Sequence, residues 1–254
     1  MFVREKRTVL FAIVALGSIA FLAAGQDLRE EFHQTYPLTA AGRVSLSNIN
    51  GAVHVAAWDR SEVKLDAVKR ARTQEALSEA EIVVEARADA IEISTKYPEH
   101  QREKEAASVE YTLMIPKAAK VDGIKTVNGA VDVEGIAGAV KVSSVNGSVN
   151  GRRLGGEVDL STVNGRVEAE LERVESARSV SLRSVNGEVM LKLPQDAGAR
   201  LSASTVHGTI DSDFDLPVRK IRPGVGQDVA AVIGNGGPDV QMRTVNGSLH
   251  VARR

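Results

Sequence analysis

Val140-Lys141-Val142-Ser143-Ser144-Val145-Asn146-Gly147-Ser148-Val149 returns 18 residues later as Val158-Asp159-Leu160-Ser161-Thr162-Val163-Asn164-Gly165-Arg166-Val167. Two near-copies in tandem define a period, and a period of roughly 20 residues points to a fold made by stacking like units. The Ser/Thr-Val-Asn-Gly signature also ends at Gly129, Gly187 and Gly247, with Asn48-Ile49-Asn50-Gly51 and Thr205-Val206-His207-Gly208 as variants. From Gly129 onward these glycines are spaced by 18, 18, 22, 21 and 39 residues. The last interval is close to two periods and predicts a degenerate unit around Gly234-Asn235-Gly236.

Alternate residues of a strand point to opposite faces, so aligning the units on their glycine separates core columns from surface columns. Seven and five residues before the glycine stand Val140 and Val142, Val158 and Leu160, Val180 and Leu182, Leu201 and Ala203, Val240 and Met242. Two residues after it stand Val53, Val131, Val149, Val167, Val189, Ile210 and Leu249. Each unit therefore reads as strand, turn, strand, with both strands contributing to one interior. Asn-Gly tolerates the positive φ of a tight turn, and the preceding Ser or Thr is placed to bond the local backbone. The valine two before the glycine is out of phase with the core pair, as a corner or a hairpin would make it.

Two all-β architectures fit. In a β-solenoid each unit is one coil, and equivalent residues stack in parallel about 4.8 Å apart. In an antiparallel meander each Asn-Gly closes a two-residue hairpin. The solenoid is the expected form, because repetition of whole units with small residues at one corner is what in-register stacking selects.

The flanks complete the organisation. Residues 1–25 read as a signal peptide: Arg4, Lys6 and Arg7 precede an apolar run from Val9 to Ala24, and Ala23-Ala24-Gly25 supplies the small residues of a cleavage site. An uncleaved anchor is the alternative. Residues 26–116 form a β-rich region that includes the first repeat and caps the stack, with strands expected over 63–67, 82–85, 91–94 and 109–115. A short helix is expected over 73–80 and a charged loop over 102–107. Residues 117–254 form the repeat solenoid. Its last strand, 248–251, ends almost at the terminus, so the C-terminal edge is expected to be open to a partner or a second copy.

Composition narrows the function. The chain of 254 residues has a formal net charge of -1 and only 4% aromatics, which leaves neither a broad positive field for nucleic acid nor many stacking platforms. It has no cysteine, so disulfides, thiolate metal sites and a cysteine nucleophile are excluded. His33, His54, His100, His207 and His250 show no metal-ligand spacing, and no phosphate-binding loop is present. Three positions after the glycine the column reads His54, Asp132, Asn150, Glu168, Met190, Asp211 and His250, a mixture without shared chemistry. Asp132, Glu168 and Asp211 are the one set that suits a glycosidase or polysaccharide lyase, since carboxylates two coils apart fall in the spacing of an inverting pair. Stacking would also pair Arg166 with Glu188 and Lys141 with Asp159. Pro217 to Gln227, carrying Arg219, Lys220 and Arg222, breaks the period as a surface loop or a basic contact.

The repeated Ser/Thr-Val-Asn-Gly units, Gly51-Ala52-Val53-His54-Val55 with Trp58-Asp59, and Tyr111-Thr112-Leu113-Met114-Ile115-Pro116 resemble the bacterial "putative adhesin" family of exported β-repeat proteins. The resemblance runs from about residue 40 to the end. It implies a β-helical or β-roll fold at the cell envelope and carries over no catalytic residue. The expected function is therefore a non-catalytic exported module, periplasmic, surface-bound or secreted, presenting a rigid β-surface to an envelope glycan or protein. No catalytic, cofactor or metal residue is assigned, and the membrane is met only through the signal segment if it stays uncleaved. A carbohydrate-active enzyme on a β-helix is the alternative.

Overall fold

Alternation of apolar and polar residues with period two, rich in valine and bounded by glycine, favours extended backbone along almost the whole chain. The computed structural model describes residues 27–98, 106–174, 177–222 and 225–254. The expected signal peptide and most of the expected charged loop lie outside these residues.

The N-terminal strands are β1 (Leu28–Pro37), β2 (Arg43–Ser47), β3 (Val53–Trp58), β4 (Glu62–Ala71), β5 (Glu81–Arg87), β6 (Ala90–Lys96) and β7 (Ser108–Pro116). A short helix, α1 (Gln74–Glu79), the one helix among the described residues, follows β4; the Thr73 hydroxyl accepts from the Ala76 amide and caps it. The regular repeats supply β8 (Lys120–Asn128), β9 (Val131–Glu134), β10 (Val140–Asn146), β11 (Val149–Leu154), β12 (Val158–Asn164), β13 (Val167–Leu171), β14 (Ser179–Asn186) and β15 (Val189–Leu193). The C-terminal part adds β16 (Ala199–His207), β17 (Ile210–Ser212), β18 (Arg219–Arg222), β19 (Val225–Ile233), β20 (Asp239–Asn246) and β21 (Leu249–Arg253).

Pairing decides between the two architectures. β10 lies parallel to β12 with Val140 opposite Val158 and Asn146 opposite Asn164, and β11 lies parallel to β13 with Val149 opposite Val167. An Asn-Gly hairpin would have made its two strands antiparallel neighbours; instead they belong to different sheets. The protein is a β-solenoid-like stack of two long sheets. Sheet A runs β1-β4-β7-β3-β9-β11-β13-β15-β21-β17, and sheet B runs β18-β19-β16-β20-β14-β12-β10-β8-β2-β6-β5. Each coil gives one strand to each sheet, and the aligned core columns, including Val142, Leu160, Leu182, Val149, Val167 and Val189, are all buried between them. Full burial of a Val or Leu side chain contributes roughly 1.5–3 kcal/mol, so these columns are the main force holding the coils together.

Order in space departs from order in sequence at both ends. The first coil in sequence, β2–β3, sits inside the stack between β6–β7 and β8–β9. The last, β20–β21, sits between β14–β15 and β16–β17. The terminal strand is therefore no open edge, contrary to the expectation: Leu249 is paired with Val189 on one side and Ile210 on the other. Like coils are interchangeable in a stack, so glycine spacing does not fix which neighbour each one takes. Nor does the 39-residue interval hold a degenerate coil. Its residues form the antiparallel pair β18–β19, with Gly234-Asn235-Gly236 merely turning the chain into β20. The expected basic loop is likewise this hairpin, in which Arg219 lies opposite Asp228.

Antiparallel strands close the ends. β4 and then β1 extend sheet A beyond β7, and β5 extends sheet B beyond β6. At the far end β19 covers β16 in sheet B, and its Gln227 side chain accepts the Ile210 amide of β17 at 2.7 Å. That carboxamide oxygen takes the place of the carbonyl that a further coil would have supplied.

Candidate interaction surface

The corner between the two sheets is where the repeated motif acts. In five of the six coils that carry a buried Ser or Thr, its hydroxyl donates across the stack, not into its own turn; the exception is Thr126, whose hydroxyl has no partner. Ser144 donates to the Gly129 carbonyl at 2.9 Å, Thr162 to Gly147 at 2.8 Å and Ser184 to Gly165 at 3.0 Å. Thr244 and Thr205 repeat the bond to Gly187 and Gly247 at 3.0 and 2.9 Å, following spatial order. The first coil carries Asn48 at this position, which donates to the Val109 carbonyl at 2.8 Å and accepts from Thr95 at 2.9 Å. Thr95 in turn meets the Tyr111 hydroxyl at 2.7 Å, and burial pushes that phenol's pKa up.

Asparagine also serves the stack. Asn146 donates to the Asn128 side-chain oxygen at 2.9 Å, Asn164 to Asn146 at 2.9 Å, Asn186 to Asn164 at 2.8 Å and Asn246 to Asn186 at 2.8 Å. Asn128 donates to Asn50 at 2.9 Å, so one ladder of amides runs along the corner. Each of the four interior amides, Asn128, Asn146, Asn164 and Asn186, uses one N–H and one oxygen lone pair inside the ladder, which leaves the other of each free of it. His207, the one departure from asparagine, lies opposite Asn246 in the coil at the far end of the stack. None of these asparagines has positive φ; Arg153 is the sole non-glycine residue that does among those described. The expectation that Asn-Gly marks a tight left-handed turn is thus corrected to a stacking role.

The out-of-phase valine column faces solvent. Ile49, Val127, Val145, Val163, Val185, Val245 and Val206 are each 38–41% exposed and follow one another along the stack. They do not join the common interior formed by the other apolar columns, because the inward turn of the Ser or Thr side chain puts the next residue outside. Seven coils at about 4.8 Å make an apolar row about 29 Å long. Beside it on the same face of sheet B, two residues earlier, stand Ser47, Lys125, Ser143, Ser161, Arg183, Arg243 and Ser204. On the other side runs the asparagine ladder.

The outer face of sheet A is polar. His54, Asp132, Asn150, Glu168, Met190, His250 and Asp211 lie in one row across neighbouring strands. The three acids proposed for hydrolysis do not converge. Asp132 is engaged by His54 Nδ1 at 3.1 Å and by Asn150 Nδ2 at 2.8 Å. Glu168 is paired with Lys192 at 2.6 Å, and Asp211 accepts from Thr209 at 3.0 Å. Arg166 and Glu188 form their expected pair at 2.5 Å. Lys141 does lie opposite Asp159, but the ion pair of Asp159 is with Arg183 at 2.7 Å.

With this geometry in view, the sequence of residues 38–252 matches the model of a domain family of unknown function, Toastrack DUF4097. The chain belongs to the Toastrack family. No curated protein matches it. Among solved structures it is similar to a "putative cell adhesion protein" of Clostridium sporogenes, with 11% identity, TM-score 0.49 and coverage of 88% of this chain and 100% of that one. It is also similar to a "putative adhesin" of Bacteroides fragilis, with 11% identity, TM-score 0.43 and coverage of 88% and 97%. A "putative lipid binding protein" of Parabacteroides distasonis aligns with 11% identity, TM-score 0.34 and coverage of 91% and 98%. At these scores the likenesses carry no argument about function.

Two concavities of the Toastrack stack lie away from both the valine row and the sheet A acids. Two open recesses of about 370 and 440 Å³ sit among the loops at the opposite corner, sharing Asp196. Neither includes Asp132, Glu168 or Asp211. Among the described residues no group of three or more His, Cys, Asp or Glu is placed to hold a metal ion, and no helix is long and apolar enough to cross a membrane.

Proposed function

We propose that this Toastrack protein is an exported, non-catalytic binding or structural module of the bacterial envelope, with the valine–asparagine corner as its contact surface. The observation that carries this reading is the unbroken exposed row from Ile49 to Val206. Single exposed valines are ordinary, but a contiguous apolar strip with polar rims is the composition of a contact site. Rigidity supports it, because the coils are fixed to their neighbours by backbone pairing and, through most of the row, by two side-chain ladders at the corner. A rigid strip loses little conformational entropy on binding. The export signal read from the sequence over residues 1–25 supports a location outside the cytoplasm.

Cell fractionation with N-terminal sequencing tests export, and the expected result is a mature chain beginning at Gln26. Full-length protein in the cytoplasm would refute it. Envelope binding is tested by co-sedimentation with washed envelope fragments. Val145→Asp combined with Val163→Asp is expected to lower binding at least tenfold with an unchanged circular dichroism spectrum. Unchanged binding would remove the corner from the account, and turnover of an envelope polysaccharide by the purified protein would replace it with an enzyme.

A further inference from the structure

Building on the contact surface just proposed, we infer that its partner is a second copy of the same chain, docked corner to corner with the two stack axes parallel. Pitch selects such a partner. The exposed valines repeat at the strand spacing, about 4.8 Å, so a surface that meets every valine of the row must carry groups at that same repeat. A second stack has this repeat by construction, with branched apolar side chains of the same size, which is the geometry of a dry interlocking seam between sheets. Charge selects the parallel orientation. A two-fold axis along the stack sets the Lys125, Arg183 and Arg243 column of one copy against the asparagine ladder of the other. Those amides have an oxygen lone pair left for each cation. An antiparallel arrangement centred on Val163 would set Lys125 against Arg243 instead, two exposed cations facing each other.

Area sets the strength. A strip about 29 Å long and one side chain wide is well under the roughly 800 Å² per partner of a stable complex. The association is therefore weak and concentration-dependent, suited to many copies held at one surface, where linkage raises the effective concentration.

The test uses the protein expressed from its full chain and purified in the form the cell leaves it. Because the sequence has no cysteine, single substitutions Val127→Cys and Val245→Cys report contact by disulfide formation under mild oxidation. Val232→Cys, at a residue 66% exposed on β19 and off the row, is the control for random collision. Cysteine in place of an exposed valine leaves the core untouched, and circular dichroism checks the fold. Each row variant is expected to give disulfide-linked dimers several-fold faster than the control, while a mixture of the two gives 127–245 heterodimers only at the control rate. Row variants that cross-link no faster than Val232→Cys overturn the inference. So does cross-linking confined to the 127–245 mixture, or equal in all combinations. Should the row fail to cross-link while the envelope binding above still depends on Val145 and Val163, the contact surface stands and only its partner changes; loss of both removes the surface itself.

Discussion

Gly165 is a glycine because of its neighbour more than because of its own backbone. A Cβ built there would lie 2.3 Å from the Gly147 carbonyl oxygen, and at Gly147 the same construction meets Gly129 at 2.0 Å. The obstacle is main chain of the next coil, which has no rotamer to give. Gly165→Ala is expected to cost about 1–3 kcal/mol, the range of overpacked sites, read as a lower urea midpoint with an unchanged slope. His33 offers a second test. Its ring bonds Asp66 at 2.7 Å and Glu31 at 3.2 Å, and these hold its pKa above the ordinary 6.5. Its contribution to stability is therefore complete below that ordinary value and is lost as pH rises through the raised one. Asp66, held below its usual range by Lys64 and His33 against the opposing effect of its own desolvation, loses its contribution only as pH falls through its lowered value. His33→Gln should then lower the unfolding temperature more at about pH 6 than at about pH 9, a small difference because the ring is exposed. Equal losses at both would remove the ion pairs from the account.

At the scale of elements, the sequence reveals strands readily and neighbours poorly. Val140 with Val142 and Val149 announce two inward-facing strands, because period-two burial is written into each repeat. Which coil lies beside which is not written there, since Leu249 fits against Val189 or Ile210 equally well and the structure uses both contacts. The direction of the Val145 column escaped the sequence for a related reason. Its phase break marks a corner, but only the inward hydroxyl of Ser144, bonded to another coil, shows that the valine goes out. The insertion of β20–β21 has a measurable cost of disruption. Leu249 is fully buried, so Leu249→Ala is expected to destabilise the fold by about 2–5 kcal/mol, as a central core position would. A loss of a few tenths of a kilocalorie would indicate a frayed terminal strand instead.

For the molecule as a whole, the two out-of-order coils keep the first and last repeats from lying at the ends of the stack; antiparallel strands cover the end coil in both sheets at one end and in sheet B at the other, where β17 is the last strand of sheet A. The polar sheet A face and the apolar corner follow from one repeated phrase read seven times with variation at the exposed positions. What the sequence could not supply is the face on which the variation matters, because exposure depends on the coil and not on the strand. The most direct measurement of the stacking order is dipolar broadening between spin labels on paired cysteines along the valine row, with labelled protein diluted in unlabelled excess to suppress contacts between molecules. Val185→Cys with Val245→Cys, 60 residues apart in sequence, should show strong coupling at about 5 Å spacing, and Val245→Cys with Val206→Cys the same, while Val185→Cys with Val206→Cys should be weaker at about 10 Å. Strong coupling of 185 with 206 and none of 185 with 245 would contradict the inserted parallel stack.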